Sequence, residues 1–241
     1  MSIESAAMRT PLQTGGVDSI LAGLWRKVLN DLDIDDSTIL DKIDRYSKKV
    51  TKDFPERSAQ IRGNLRTDVN KDAMTWYTFT KCLRVIGVEY FEIEFKLHHL
   101  RMVSSHVLRV KLDDHFFLSD EEEKDPKEPT ALSVFFKDML HQLSIGVTMF
   151  ESLLERYMRR EKVAINLRNK THIRGYLKKD FSAPKMSWKS FVKGMVFLCV
   201  LKMDMHLILH LRRNQITEHD YEVVLGDMED YTEELKNELG I

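Results

Sequence analysis

Cysteine is nearly absent from this 241-residue chain, and its two examples, Cys82 and Cys199, lie far apart inside apolar stretches. Neither belongs to a CxxC pair or stands at a metal-like spacing from histidine, which excludes a disulfide-stapled or zinc-ribbon scaffold and predicts buried thiols in a reducing compartment. Five prolines and ten glycines are too few for a low-complexity or collagen-like chain. Long apolar runs are missing as well. The longest, MVFLCVL from Met195, falls far short of the roughly 18 residues that a membrane span needs. The opening MSIESAAMRTPLQTGG lacks the basic-then-apolar order of a signal peptide, so export by that route is not expected. Charge of one sign is lacking too: the formal net charge is −1, which leaves no global field to select a nucleic acid or a membrane. No GxSxG, HExxH, P-loop or GxGxxG occurs. The acids Asp33, Asp35 and Asp36 and the run 121–123 read as helix caps and solvated charge. The expectation is a non-enzyme with no cofactor and no metal.

What the chain does contain is one uncommon phrase written twice. MTWYTF begins at Met74 and MSWKSF at Met186, 112 positions later. At that offset Ile61/Ile173, Arg62/Arg174, Gly63/Gly175, Asp68/Asp180, Trp76/Trp188, Phe79/Phe191 and Lys81/Lys193 coincide. Upstream an offset of 111 aligns Leu29/Leu140, Leu32/Leu143 and Ile34/Ile145, and downstream 113 aligns His106/His219 and Val110/Val223. One-residue slips at turns are what a duplicated fold leaves behind. The fold class expected is α+β, an internal tandem duplication in which each unit has about four short helices followed by an antiparallel β-hairpin. The parts are an extended N-terminal arm (1–16), repeat unit 1 (17–116), an acidic linker (117–130), repeat unit 2 (131–226) and an acidic C-terminal tail (227–241).

Within a unit the period of apolar residues sets the element type. Leu21, Leu24, Trp25 and Val28 recur at helical spacing, as do Ile39, Ile43 and Tyr46 after a cap at Asp36 or Ser37. A third helix runs from about Ser58 to Val69, and a fourth is capped by Thr75 or, in the second copy, Ser187. The period then falls to two: Phe91, Ile93, Phe95 and Leu97 alternate with polar residues, and Leu108, Val110 and Leu112 form a mate. The core markers of the units are Trp76 and Phe79 and their counterparts Trp188 and Phe191. The duplicated Arg-Gly at 62 and 174 reads as structure, the glycine permitting close helix approach.

Two clusters carry chemistry. Histidines 98, 99, 106, 206, 210 and 219 surround the hairpins, but alternation sends His98 and His106 to opposite faces, so they read as surface or packing residues. The second cluster is a basic stretch from Arg156 to Lys193 with twelve Lys/Arg against two acids. Its candidate contacts to nucleic acid or an acidic partner are Arg159, Arg160, Arg174, Lys178, Lys179, Lys185 and Lys189. Helices followed by a hairpin are similar, in architecture alone, to winged-helix DNA readers.

The pattern Met-[Ser/Thr]-Trp-x-x-Phe-x-Lys, followed by a strand bearing Leu-His and a His-x-x-x-Val-x-Leu strand, resembles proteins of tailed bacteriophages. The resemblance covers mainly 61–112 and 173–225. It implies a viral origin, a place in the host cytoplasm or the virion, and a role in a virion or takeover complex; it carries over no functional residue. The functional expectation is a non-enzymatic two-repeat interaction protein, a phage structural or assembly component that docks to protein neighbours as a homo-oligomer or in a larger assembly. The alternative is a nucleic-acid-binding protein that uses the basic helices of unit 2.

Overall fold

The computed structural model describes residues 17–99, 102–112, 130–146, 148–149, 152–153, 186–198 and 200–225. The arm, most of the linker, the tail and most of the basic stretch lie outside them. Within them the chain forms α1 (Val17–Asp31), α2 (Asp36–Val50), α3 (Ser58–Asp68), α4 (Trp76–Val85), β1 (Val88–His99), β2 (Val103–Lys111), α5 (Ala131–Gln142), α6 (Trp188–Phe197), β3 (Val200–Leu211) and β4 (Gln215–Val224). The fold is therefore α+β. No helix among the described residues is long and apolar enough to cross a membrane.

Local chemistry accounts for the helix limits. Asp35, one residue before the expected cap, starts α2 by accepting from the Thr38 N–H at 2.7 Å. From Asp35 the carboxylate reaches the N3 amide, which neither Asp36 nor Ser37, already inside the helix, can do. Thr75 caps α4 and Ser187 caps α6 in the same way, each accepting from the N–H three residues on. The C-termini of α1 and α5 also close alike. Asp33 (φ 51) and Ser144 (φ 56) turn left-handed, and the Ile34 N–H donates to Leu29 O at 2.9 Å as the Ile145 N–H donates to Leu140 O at 2.8 Å. That is a Schellman closure, which satisfies carbonyls left over at a helix end. Between α4 and β1 the reversal uses Gly87 at φ 101, where a side chain would be strained. Gly63 is different: it is exposed, and among the described residues a Cβ there would meet nothing within 4 Å. Close helix approach is not its role.

The four strands make one antiparallel sheet in the order β2-β1-β3-β4. The central strands pair about Glu94 and His206, which stand directly opposite each other and 112 positions apart in sequence. His106 pairs with Phe95, and His219, 113 positions on, pairs with Leu207, so both outer ladders share one register. Phe91, Ile93, Phe95 and Leu97 on β1 and Met203, Met205, Leu207 and Leu209 on β3 are all buried, and face the helices. The opposite face is left to polar side chains, as the pleat dictates.

Helix packing crosses between the halves. α1 packs on β4 as well as on α4 and α6, while α5 packs on β2 and α6. The buried side chains of both halves form one continuous cluster. Trp76 and Trp188, assigned from the sequence to the cores of two units, stack on each other, Trp188 inside this cluster and Trp76 half-buried against it. The reason is geometric: adjacent central strands bring the starts of α4 and α6 side by side.

Candidate functional site: histidine clamps and the open sheet face

Each edge strand carries one histidine turned toward the helices, and each grips a helix from the other half of the chain. His106 on β2 has Nδ1 2.9 Å from the Gln142 side-chain amide at the end of α5, and Nε2 3.0 Å from Ser104 Oγ. His219 on β4 has Nδ1 2.8 Å from Asp31 Oδ2 at the end of α1, and Nε2 3.1 Å from Thr217 Oγ1. Asp31 and Gln142 are themselves 111 positions apart, so the two clamps are counterparts.

The two clamps place their protons alike. Asp31 only accepts, so His219 donates from Nδ1 and its Nε2 accepts from the Thr217 hydroxyl. At the other clamp His106 donates from Nδ1 to Gln142 Oε1, and its Nε2 accepts from the Ser104 hydroxyl. His99 stands beside this clamp, donating from Nδ1 to Leu198 O at 3.1 Å, with Nε2 3.2 Å from Ser104 Oγ. Burial pushes the His106 imidazole below its ordinary range and outweighs the hydrogen bond to Gln142, which favours the charged ring. Burial alone would raise the Asp31 carboxyl, but hydrogen bonds from His219 and Lys27 hold it below the usual carboxylate value.

The order hydroxyl, imidazole, carboxylate at Thr217, His219 and Asp31 is that of a hydrolytic triad. Chemistry would require a substrate cavity in front of the hydroxyl and donors for an oxyanion. Instead the His219 side chain is 1% exposed beneath α1, and the cavity formed by α2, α3 and α4 lies elsewhere. The arrangement ties a helix to a sheet edge. Among the described residues, no group of three His, Cys, Asp or Glu is placed to hold a metal ion.

The open face of the sheet is the larger surface. It pairs Arg109 with Glu92 at 3.1 Å and His98 with Asp204 at 2.7 Å, and places Lys202 between Asp204 (3.0 Å) and Glu222 (2.6 Å). His206 reaches Asp220 at 2.7 Å, and Tyr90 stacks on His210 with centroids 3.8 Å apart. His98 is on this face while His106 is on the other, as strand alternation predicts. Burial alone would raise the Asp204 carboxyl, yet hydrogen bonds from His98 and Lys202 hold it low. Val103, Val107, Ile216 and Val224 are exposed along the two edge strands. The face carries more acids (Glu92, Glu94, Asp204, Glu218, Asp220, Glu222) than lysines and arginines (Lys96, Lys202, Arg109, Lys111), which disfavours phosphate backbones there.

Of the basic residues singled out from sequence, Lys189 lies in the first turn of α6. Arg159, Arg160, Arg174, Lys178, Lys179 and Lys185 lie outside the described residues. Lys193, part of the same basic count, is buried and does not belong to a surface belt. Its counterpart Lys81 explains the lysine of the repeated phrase: Nζ is 2.8 Å from the buried Asp68 carboxylate. Phe79, Phe191 and Trp188 are fully enclosed, and Trp76 is half-buried at the edge of the core. Sequence reading paired His106 with His219 but missed what they hold, although the 111-residue offset already aligned Asp31 with Gln142.

Comparison with protein-family models, with curated proteins and with solved structures returns no match.

Proposed function

We propose that the chain is a tandem duplication folded as an intramolecular pseudo-dimer and that it acts without catalysis, as an interaction protein of the kind used in phage structure or assembly. The observation that carries the reading is the pairing of β1 with β3 about Glu94 and His206, reinforced by the reciprocal clamps of His106 on α5 and His219 on α1. Two copies of an associating module, joined in one chain, would retain such an interface. What the pseudo-dimer offers a partner is the open sheet face, with charges of both signs at its centre and apolar residues on its edge strands. An interface of that composition suits a protein neighbour or another copy.

Light scattering over a wide concentration range, alone and with candidate virion proteins, tests this. Association that Val107→Glu together with Ile216→Glu abolishes supports it; a strict monomer that binds none of them overturns it. The second reading, nucleic-acid binding, is favoured by the local excess of Lys and Arg over 156–185. Anisotropy of short duplex and single-stranded probes decides it: binding lost in Lys178→Glu/Lys179→Glu establishes that function, and no binding at low salt removes it.

A further inference from the structure

Among the described residues the sheet ends on two strands that each have a strand neighbour on one side only, β2 and β4. Backbone bonding shows which of their groups stay open. Just past the strand ends, the Leu112 N–H donates inward to Glu89 O at 2.9 Å and the Leu225 N–H inward to Leu201 O at 2.8 Å, and both leucines are buried. Bonding direction alternates along a strand in step with side-chain face, so on both edges the residues of the open face turn their N–H and C=O outward. These include Val107, Arg109 and Lys111 on β2, and Asp220, Glu222 and Val224 on β4.

The two edges carry opposite charge. β2 has Arg109 and Lys111 and no acid, whereas β4 has Glu218, Asp220 and Glu222 and neither lysine nor arginine. Several of these side chains already have partners on the same face: Arg109 holds Glu92, Glu222 shares Lys202 with Asp204, and Glu218 and Asp220 share His206. Such pairs do not fix them in place, because Arg109 is 70% and Asp220 87% exposed, and ion pairs in water are weak and exchange partners. Charged edge strands commonly prevent sheets from joining, but that works when the meeting edges have the same sign. Unlike edges attract.

We propose that β2 of one copy pairs with β4 of a second copy, so that the sheet continues from molecule to molecule. This pairing presupposes the associating pseudo-dimer proposed above and names both its partner and its edges. Every neighbouring pair in the order β2-β1-β3-β4 is antiparallel, so β2 and β4 run in opposite directions. A second copy set beside the first in the same orientation therefore meets it antiparallel, with its helices on the same side. One register satisfies the open face: Val107 opposite Val224, Arg109 opposite Glu222 and Lys111 opposite Asp220. Sliding by two residues in either direction sets Glu222 against Val107 or Arg109 against Val224. Pairing β4 with β4 would set acids against acids. The link is thus head to tail, and it closes as a ring or extends as a filament.

Sedimentation velocity of the full chain over a range of concentrations, with charge reversal at each edge, tests the pairing. Arg109→Glu/Lys111→Glu makes both edges acidic and Asp220→Lys/Glu222→Lys makes both basic, so each variant alone should associate about tenfold more weakly or less still. Mixing the two variants, or combining all four substitutions in one chain, should restore association, since unlike edges meet again. Unchanged thermal midpoints show that the variants remain folded. Self-association indifferent to both reversals, or lost in both and not recovered in the mixture and the fourfold variant, overturns the edge pairing while leaving an associating protein. A wild-type chain that stays monomeric overturns it too, and the underlying reading falls with it only if no virion protein binds the chain either.

Discussion

The indole rings of Trp76 and Trp188 lie stacked, 5.8 Å between centroids and 11° from parallel, and so join the first residue of α4 to the first residue of α6. Around them Phe79, Phe91 and Phe191 complete an aromatic cluster. The two tryptophans are not equal. Trp188 is enclosed and its Nε1–H donates to Val17 O at 3.3 Å, whereas Trp76 keeps part of its surface in water. Trp188→Ala should cost about 3 to 5 kcal/mol, and Trp76→Ala about half as much. A double-mutant cycle in urea should return a coupling of about 1 kcal/mol. Additive effects would mean that the stack contributes nothing beyond separate burial.

Acid stability follows from the clamps. The His106 imidazole titrates lower in the folded chain than its ordinary 6.5, so the unfolded chain binds the proton more readily. Its stabilising contribution is complete above about pH 6.5 and falls as pH drops toward the folded value. Asp31 and Asp204 are depressed as well, and their contribution is present above about pH 4 and lost below it. Denaturation midpoints measured from pH 7.5 to 3 should therefore decline in two stages. His106→Gln should flatten the upper stage and Asp31→Asn the lower.

The ion pair of Lys81 with Asp68 gives the repeated phrase its lysine. Both side chains are largely withdrawn from water, at 16% and 9% exposure. Removing Lys81 leaves the buried Asp68 only the more exposed Lys71, 2.7 Å from its other oxygen, so Lys81→Ala should destabilise by about 2 kcal/mol. Lys81→Met/Asp68→Leu should recover most of that loss, because two apolar side chains need no desolvation of charge. Chemical denaturation of the three proteins separates these effects.

How far the chain can be read without its fold depends on the range of each interaction. Local rules located Thr75 and Ser187 as caps and the alternation of Phe91, Ile93, Phe95 and Leu97, because each is decided by neighbours within a few residues. The cap of α2 was displaced by one residue, from Asp36 to Asp35, a difference that turns on one hydrogen bond. The exchange of helices between halves was not legible. Nothing in the periodicity of β4 shows that His219 meets Asp31, 188 positions earlier in the chain, and not a helix of its own half. Nor does any local pattern mark the cavity, whose walls come from three helices.

That exchange makes the halves interdependent, and cutting the chain tests it. The first half alone contains α1 without the β4 surface it packs on, and β1 without the β3 ladder that covers one of its edges. A fragment 1–116 should therefore show no cooperative unfolding transition as a monomer. Mixed with 117–241 it should regain one, because the missing ladder, the clamps and the Trp76–Trp188 stack all re-form between the pieces. Circular dichroism melts of each fragment and of the mixture read this directly. Cooperative melting of monomeric 1–116 would mean that the first unit has a core of its own and that the shared cluster adds little. Association of 1–116 with itself would be informative in the opposite sense: β1 would then be pairing with a second β1 in place of β3, which is the arrangement a duplicated dimer would have had before fusion.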